Sequence, residues 1–338
     1  MPGTYTAALV GCGRIGYSLG LDTKREQPAS HTMALNENKR IKLIAGCDTD
    51  IAKLTVWHKA NPDAETYQRS SDLYRSVHPD IITVAVPEDF PKSEAIAAIE
   101  AQPKLVILEK PVALNSREAQ DIKNVSEDNN VPVMINHERR FAEDYKLAKQ
   151  CMRQIGELQS IYATLSSSQS LYDRRQESTG SLSLFHDGTH LVDAVLYLLD
   201  DEKLENPSMS GIYKDKTGCV RQLSAHYSSK SCPDITFTMS GRARYFGFEI
   251  QINGTEGRIC IGNSYFKLYR RKDSPLYTGF FSLVSDEQTA APQKTRYFSN
   301  MIQNAVDFLD GKEELKSSLD IGIRDLRILE DIKVLLYR

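Results

Sequence analysis

The sequence predicts two domains: a doubly wound α/β domain over residues 1–136, then an α+β domain with a mostly antiparallel sheet over residues 137–338. Three observations predict this. Short apolar runs alternate with helical patterns up to about residue 135, as parallel strands joined by crossover helices do. A glycine-rich turn follows the first of these runs. After Arg140 the alternation stops, and a strand-rich stretch from about Ser208 to Arg271 sets in. A chain of 338 residues fits two domains at roughly 150 residues each.

Element by element, the expected parallel strands are Ala7–Val10, Ile41–Cys47, Ile81–Val86, Leu105–Leu108 and Val131–Ile135. They are nearly all apolar, as strands covered on both faces are. Pro91–Ala101 places Ala95, Ile96, Ala98 and Ile99 at helical spacing, and Ser116 stands where an N-cap starts a helix through Val125. Beyond Arg140, helices are expected near Tyr145–Gln154 and over Thr189–Leu199. Glu249–Ile252 and Arg258–Ile261 flank a turn bearing Gly254 and Gly257, a hairpin pattern. From Tyr297 onward Ile321, Ile323, Leu326, Ile328, Leu329, Ile332 and Leu335 give an apolar helical face. This terminal helix is expected to be able to pack back on the first domain.

Composition removes several classes of function. The 42 Lys and Arg against 45 Asp and Glu leave a net charge of -3, so no basic field exists to hold a nucleic acid. The longest apolar runs fall far short of the ~20 residues that cross a bilayer. The N-terminus enters a strand pattern without a secretory signal, so a cytoplasmic location is expected. The six cysteines Cys12, Cys47, Cys151, Cys219, Cys232 and Cys260 lie singly, without the paired spacing of a zinc site or redox dithiol. No metal is expected.

The chemistry-bearing motifs begin with Gly11, Cys12, Gly13, Arg14, Ile15 and Gly16, between the first strand and a turn of helix. Gly11 permits the tight turn, Gly13 lets the backbone approach a pyrophosphate, and Gly16 allows close packing. Asp48 ends the second strand, where a carboxylate accepts ribose hydroxyls and repels a 2′-phosphate, so NAD is expected rather than NADP. The interval from Gly16 to Asp48 exceeds the usual ~20 residues, which implies an insertion around Tyr17–Ser30 flanking cofactor or substrate. Its Lys24 and Arg25 read as a solvated charged loop.

Glu109-Lys110-Pro111 follows an apolar strand and so sits at a carboxyl end, where open α/β sheets bind ligands. A lysine there can stabilise a developing alkoxide or exchange a proton; a surface lysine paired with Glu109 is the alternative. In the second domain, His186, Asp187, His190 and Asp193 fall within eight positions at the start of a helix. Residues three and four apart share a helix face, so a positioned general base is one reading. Helix capping by Asp187 or Thr189 is the other.

These motifs together resemble the Gfo/Idh/MocA oxidoreductase family, the glucose-fructose oxidoreductase and inositol dehydrogenase group. The resemblance runs through GCGRIG at 11–16, the Asp48 strand end, Val84–Pro87, Glu109–Pro111, Arg139–Phe141, Asp187–Asp193 and Ile252–Ile259. It implies an N-terminal Rossmann domain, a C-terminal domain with a large open sheet, and a homodimer or homotetramer. It also implies reversible NAD(P)-dependent oxidation of a hydroxyl on a sugar, sugar phosphate or cyclitol, and places Pro87 and Glu109 beside the cofactor. The family's active-site lysine falls on Lys110, preceding a cis bond to Pro111, and its active-site histidine on His190. One departure stands out: the family's aspartate four residues before that histidine is here His186, with Asp187 one step later. Either residue could fill that role. The doublets Arg139-Arg140 and Arg174-Arg175 suggest an anionic substrate, with Arg139, Arg140 and Arg175 as binding groups; ion pairs with Glu138 and Asp173 are the competing reading. A non-catalytic NAD(P)-binding regulator and a reductase of a non-sugar carbonyl compound remain open as alternatives.

Overall fold

The computed structural model describes residues 3–87, 91–179, 182–263 and 265–337. The chain divides into two compact units: residues 1–142 with 296–324, and residues 143–295 with 325–338.

The first unit is a six-stranded parallel sheet. Its strands are β1 (Tyr5–Val10), β2 (Ile41–Cys47), β3 (Glu65–Tyr67), β4 (Ile81–Val84), β5 (Leu105–Leu108) and β6 (Val133–Ile135), in the spatial order 3-2-1-4-5-6. Every residue of β4 and β5 is buried, which is why these strands read as unbroken apolar runs. The order reverses beside β1, and in such sheets ligands bind at the carboxyl ends at this switch point. Helices α1 (His31–Glu37), α2 (Ile51–Ala60), α3 (Ser70–Ser76), α4 (Pro91–Glu100) and α5 (Ser116–Asn129) lie between the strands in sequence. Asn115 caps α5, its side chain accepting from Glu118 N, one residue earlier than the expected Ser116.

The second unit carries an eight-stranded sheet. Its strands are β7 (Leu158–Ser166), β8 (Glu205–Lys214), β9 (Val220–Ser228), β10 (Ile235–Ser240), β11 (Gly247–Gly254), β12 (Gly257–Gly262), β13 (Tyr265–Asp273) and β14 (Phe281–Ser285). The order is 14-13-12-11-7-10-9-8, and every pairing is antiparallel except β10 with β7. The expected hairpin is present, with Ile250 opposite Ile261 and Ile252 opposite Ile259. Buried and part-exposed residues alternate along β9, β10 and β12, as in a sheet covered on one face. Helices α6 (Glu143–Cys151), α7 (Ser183–His186) and α8 (Gly188–Leu198) belong to this unit, with α6 and α8 packed on the sheet.

Near the C-terminus, α9 (Tyr297–Leu309) belongs to the first unit and α10 (Leu319–Leu335) contributes residues to both. Phe298, Met301, Ile302, Ala305 and Val306 of α9 share one core with Leu9, Ile81, Leu105 and Ile107; each large apolar side chain buried this way contributes about 2 kcal/mol. The end of α9 is also clamped electrostatically. Asp310 accepts two bonds from Arg40, at 3.0 and 2.8 Å, one from Tyr5 Oη at 2.9 Å and one from Lys312 at 2.7 Å. The Arg40 bonds first, then those of Lys312 and Tyr5, hold its carboxyl well below the usual carboxylate range.

A depressed carboxyl stabilises the fold above its unfolded value of about 3.9 and loses that contribution as pH falls through the acid range. Asp310→Asn is therefore expected to lower the thermal midpoint by a few degrees at pH 7. It should also flatten the decline in midpoint between pH 5 and pH 3, measured by circular dichroism. An equally steep acid decline in the variant would refute the assignment. Among the described residues no helix is long and apolar enough to cross a membrane.

Candidate active site

The glycine turn is built by backbone crowding on two sides and open space in the middle. Gly11 N donates to Cys47 O at 2.8 Å, and Gly11 adopts φ +98°, a conformation that favours glycine. A Cβ on Gly11 would stand 2.3 Å from Ala85 O, at the end of β4, and one on Gly16 would stand 1.9 Å from Gly11 O. Among the described residues, a Cβ on Gly13 would meet nothing within 4 Å. The turn therefore closes tightly on itself while leaving free space over Gly13, which is the cradle a dinucleotide pyrophosphate requires.

Asp48 is tied to this turn. One carboxylate oxygen accepts from Cys12 N at 2.9 Å and the other from Asp50 N at 2.9 Å. The residue is half-buried, and its position at the end of β2 fits a ribose-binding carboxylate. Cys12 is buried, and burial, followed by the charge of Asp48, pushes its thiol up, so it packs as a neutral group. Arg14 is exposed and Ile15 half-buried.

The helix expected after Gly16 is interrupted. A 3-10 turn, Ser18–Leu21, and an irregular stretch precede α1, so the expected 17–30 insertion lies within what would otherwise be one helix. The two parts remain stitched: His31 N donates to Ile15 O at 3.1 Å and Thr32 N to Gly16 O at 3.0 Å. Thr32 Oγ1 also donates to Gly16 O, at 2.7 Å, and receives a bond from Trp57 Nε1 at 2.9 Å. In the insertion, Arg25 pairs with Asp22 at 3.6 Å.

This splice brings His31 to the Glu109-Lys110-Pro111 segment. His31 Nε2 and Asn136 Nδ2 both lie 2.6 Å from Oε1 of Glu109. Burial would raise the Glu109 carboxyl, but the hydrogen bond and charge of His31, the charge of Lys110 and the Asn136 bond together hold it below the usual range. Glu109 is therefore ionised beside Lys110, which is buried at 9% exposure. The Lys110–Pro111 bond is cis, and Pro87, after β4, is exposed. The sequence reading missed His31 and Asn136. Fourteen residues separate His31 from Gly16 in the sequence, so no local spacing ties it to the glycine turn, and Asn136 offers one cue, its place at the carboxyl end of β6.

Glu138–Phe141 forms a 3-10 turn in which Arg139 pairs with Glu138 at 3.2 Å and Arg140 is buried at 2% exposure. In the second unit, helical bonding runs from α7 into α8, with Asp187 N donating to Ser183 O and His190 N to Asp187 O. Asp187 at the junction has right-handed helical angles, so His186 and His190 stand four apart along one helical path. His186 Nε2 is 3.8 Å from Asp187 Oδ1; His190 and Asp187 are both half-buried. The capping reading does not hold: Asp187 makes no side-chain cap bond to α8, and Thr189 Oγ1 donates instead to Asp325 at 2.6 Å. Arg175 is held by Asp173 through bonds of 3.0 and 2.7 Å. Among the described residues no group of three or more His, Cys, Asp or Glu could hold a metal ion.

Residues 5–137 match a family profile described as an oxidoreductase family with an NAD-binding Rossmann fold. Among curated proteins, the chain is 26% identical over 144 residues to scyllo-inositol 2-dehydrogenase (NADP(+)) IolW of Bacillus subtilis, covering 40% of this chain and 39% of that protein. The chain thus spans well under two thirds of that relative's length. Among solved structures, an NAD binding oxidoreductase from Klebsiella pneumoniae superposes with a TM-score of 0.76 at 19% identity, covering 98% of this chain and 97% of that one. An oxidoreductase from Agrobacterium radiobacter, solved with NAD+, L-tartaric acid and magnesium, gives 0.75 at 16% identity, covering 98% and 96%. Both likenesses establish the shared fold.

Proposed function

We propose that the chain, whose residues 5–137 match the NAD-binding Rossmann profile of the Gfo/Idh/MocA oxidoreductases, is an NAD-dependent dehydrogenase of a sugar, sugar phosphate or cyclitol. The observation that carries the cofactor side is the free space over Gly13, set between the crowded Gly11 and Gly16 and bordered by Asp48. Gly11–Gly16 would hold the pyrophosphate and Asp48 the ribose, while Pro87, Glu109 and Lys110, at the neighbouring strand ends, would line the rest of the cofactor. Bound there, NAD would supply the hydride acceptor for oxidation of a carbinol carbon.

The chain's own residues handle charge and the proton. Lys110 stabilises the developing oxyanion by its ammonium group, and buried placement strengthens that interaction. His190 takes the hydroxyl proton, and Asp187 or His186 orients it. Reduction is the reverse. Arg139, Arg140 and Arg175 are the groups for an anionic substituent, though the pairing of Arg175 with Asp173 weakens its claim. The exposed Tyr162, Phe281 and Leu283 of the large sheet support a homo-oligomer, whose size light scattering would give.

The deciding assay is absorbance of reduced nicotinamide across sugars, sugar phosphates and cyclitols, with NAD and NADP in parallel. Turnover of hydroxylated compounds is expected; none with any of them would leave the regulator reading, which His186 at the usual aspartate position favours. Asp48→Ser removes the carboxylate that repels a 2′-phosphate. The ratio of kcat/KM for NADP over NAD is expected to rise at least about tenfold, or about 1.4 kcal/mol. An unchanged ratio would show that Asp48 does not select the cofactor.

A further inference from the structure

We propose that His31 is a positioning residue: with Asn136 it grips one oxygen of Glu109 and thereby fixes the strand end that carries Lys110. Glu109 precedes Lys110 at the carboxyl end of β5, and its Oε1 has two partners at 2.6 Å, His31 from the start of α1 and Asn136 from the end of β6. His31 is also bonded through its backbone N to Ile15 O of the glycine turn. One residue therefore joins the cofactor cradle to the lysine segment.

Packing alone does not account for an imidazole here. His31 is 0% exposed, lies edge-on to Phe298 at 5.1 Å, and its Nδ1 is buried with no hydrogen-bond partner among the described residues. An unpartnered buried polar atom is unfavourable, and an aliphatic side chain would avoid that cost. What the imidazole provides is Nε2–H, a charge-assisted donor to a carboxylate beside an ammonium group. Departures from local stability rules of this kind concentrate at functional sites. With its Oε1 held by His31 and Asn136, Glu109 has a fixed orientation, and so has the charge it presents to Lys110.

This inference rests on the reading that Lys110 acts on the substrate oxygen, so its test has one arm that needs no turnover. In the kinetic arm, His31→Leu removes the donor while His31→Gln keeps an N–H that reaches Glu109. His31→Leu is expected to lower kcat about ten- to a hundredfold with KM for NAD changed less than about threefold, and His31→Gln to recover most of the loss. A folded His31→Leu protein that binds NADH normally and retains kcat, or a Gln variant no better than Leu, overturns the proposal. In the spectroscopic arm, the downfield Nε2–H resonance of 15N-histidine-labelled full-length protein is assigned through its loss in His31→Gln. It is expected to shift in Lys110→Met, because both groups share Glu109. If no hydroxylated compound is turned over, the functional reading fails while this shift still supports the coupling. If His31→Leu does not fold, the same resonance decides, and its insensitivity to Lys110→Met overturns the proposal.

Discussion

Lys110→Met is expected to lower kcat by roughly 10²–10⁴-fold while leaving NADH affinity within about threefold of the parent chain. Methionine keeps the length and apolar stem of lysine and removes only the ammonium group, so the loss reads charge rather than a cavity. The segment should survive the change, because Glu109 retains His31 and Asn136 as partners. A group that acts only on the developing oxyanion affects kcat and kcat/KM equally, whereas a substrate-binding group raises KM with kcat unchanged. Steady-state kinetics on the best substrate from the panel, with NADH fluorescence titration alongside, separates these cases. If Lys110→Met turns over within about tenfold of the parent chain, Lys110 is not the oxyanion-stabilising group.

The strands that position this site were legible because burial on both faces writes itself into composition. β1, β2, β4 and β5 coincide with the apolar runs, differing by a residue or two at their ends. β6 begins at Val133 rather than Val131 because Pro132 has no N–H to give a ladder; its carbonyl still accepts from Val106 N. β3 was invisible: Glu-Thr-Tyr is a three-residue edge strand with no buried position, so no apolar run announces it. β7 was missed despite a cue, since buried Ile161, Ala163 and Leu165 alternate with Tyr162 and Thr164. It lies mid-sheet between β10 and β11, where neighbours remote in sequence complete its burial. The core shared by α9 and the first sheet is likewise set by tertiary packing rather than by any local pattern.

The candidate site divides the same way. The glycine turn, Asp48 and Glu109-Lys110 follow from local rules about strand ends and phosphate cradles. His31 does not, because its relation to Gly16 is carried by hydrogen bonds across a 17–30 insertion that the linear sequence only separates. Arg140 shows a feature that the doublet does not announce: of the two cations suggested for a substrate, one is 2% exposed. Sequence spacing cannot tell which of two adjacent arginines a 3-10 turn will bury.

Gly13→Ala and Gly16→Ala should fail in different ways, and the contrast tests the cradle itself. The new methyl group on residue 13 meets none of the described residues within 4 Å, so the thermal midpoint is expected to stay within about 1 °C of the parent, well inside the shift that about 1 kcal/mol produces. The methyl group occupies the volume the pyrophosphate is proposed to fill, so NADH affinity should fall at least about tenfold, or about 1.4 kcal/mol. On residue 16 the methyl group would sit 1.9 Å from the Gly11 carbonyl oxygen, a backbone atom that cannot swing aside. Overpacking typically costs about 1–3 kcal/mol, and relieving this contact requires moving the whole turn away from β4. Gly16→Ala is therefore expected to lower the thermal midpoint by several degrees and to abolish measurable NADH binding. Thermal scans with and without 1 mM NADH, roughly the upper range of such titrations, read both effects in one experiment. A Gly13→Ala protein that binds NADH as tightly as the parent would mean that the phosphates do not lie over residue 13. A Gly16→Ala protein with an unchanged midpoint would mean that the turn is not as tightly closed as its geometry requires.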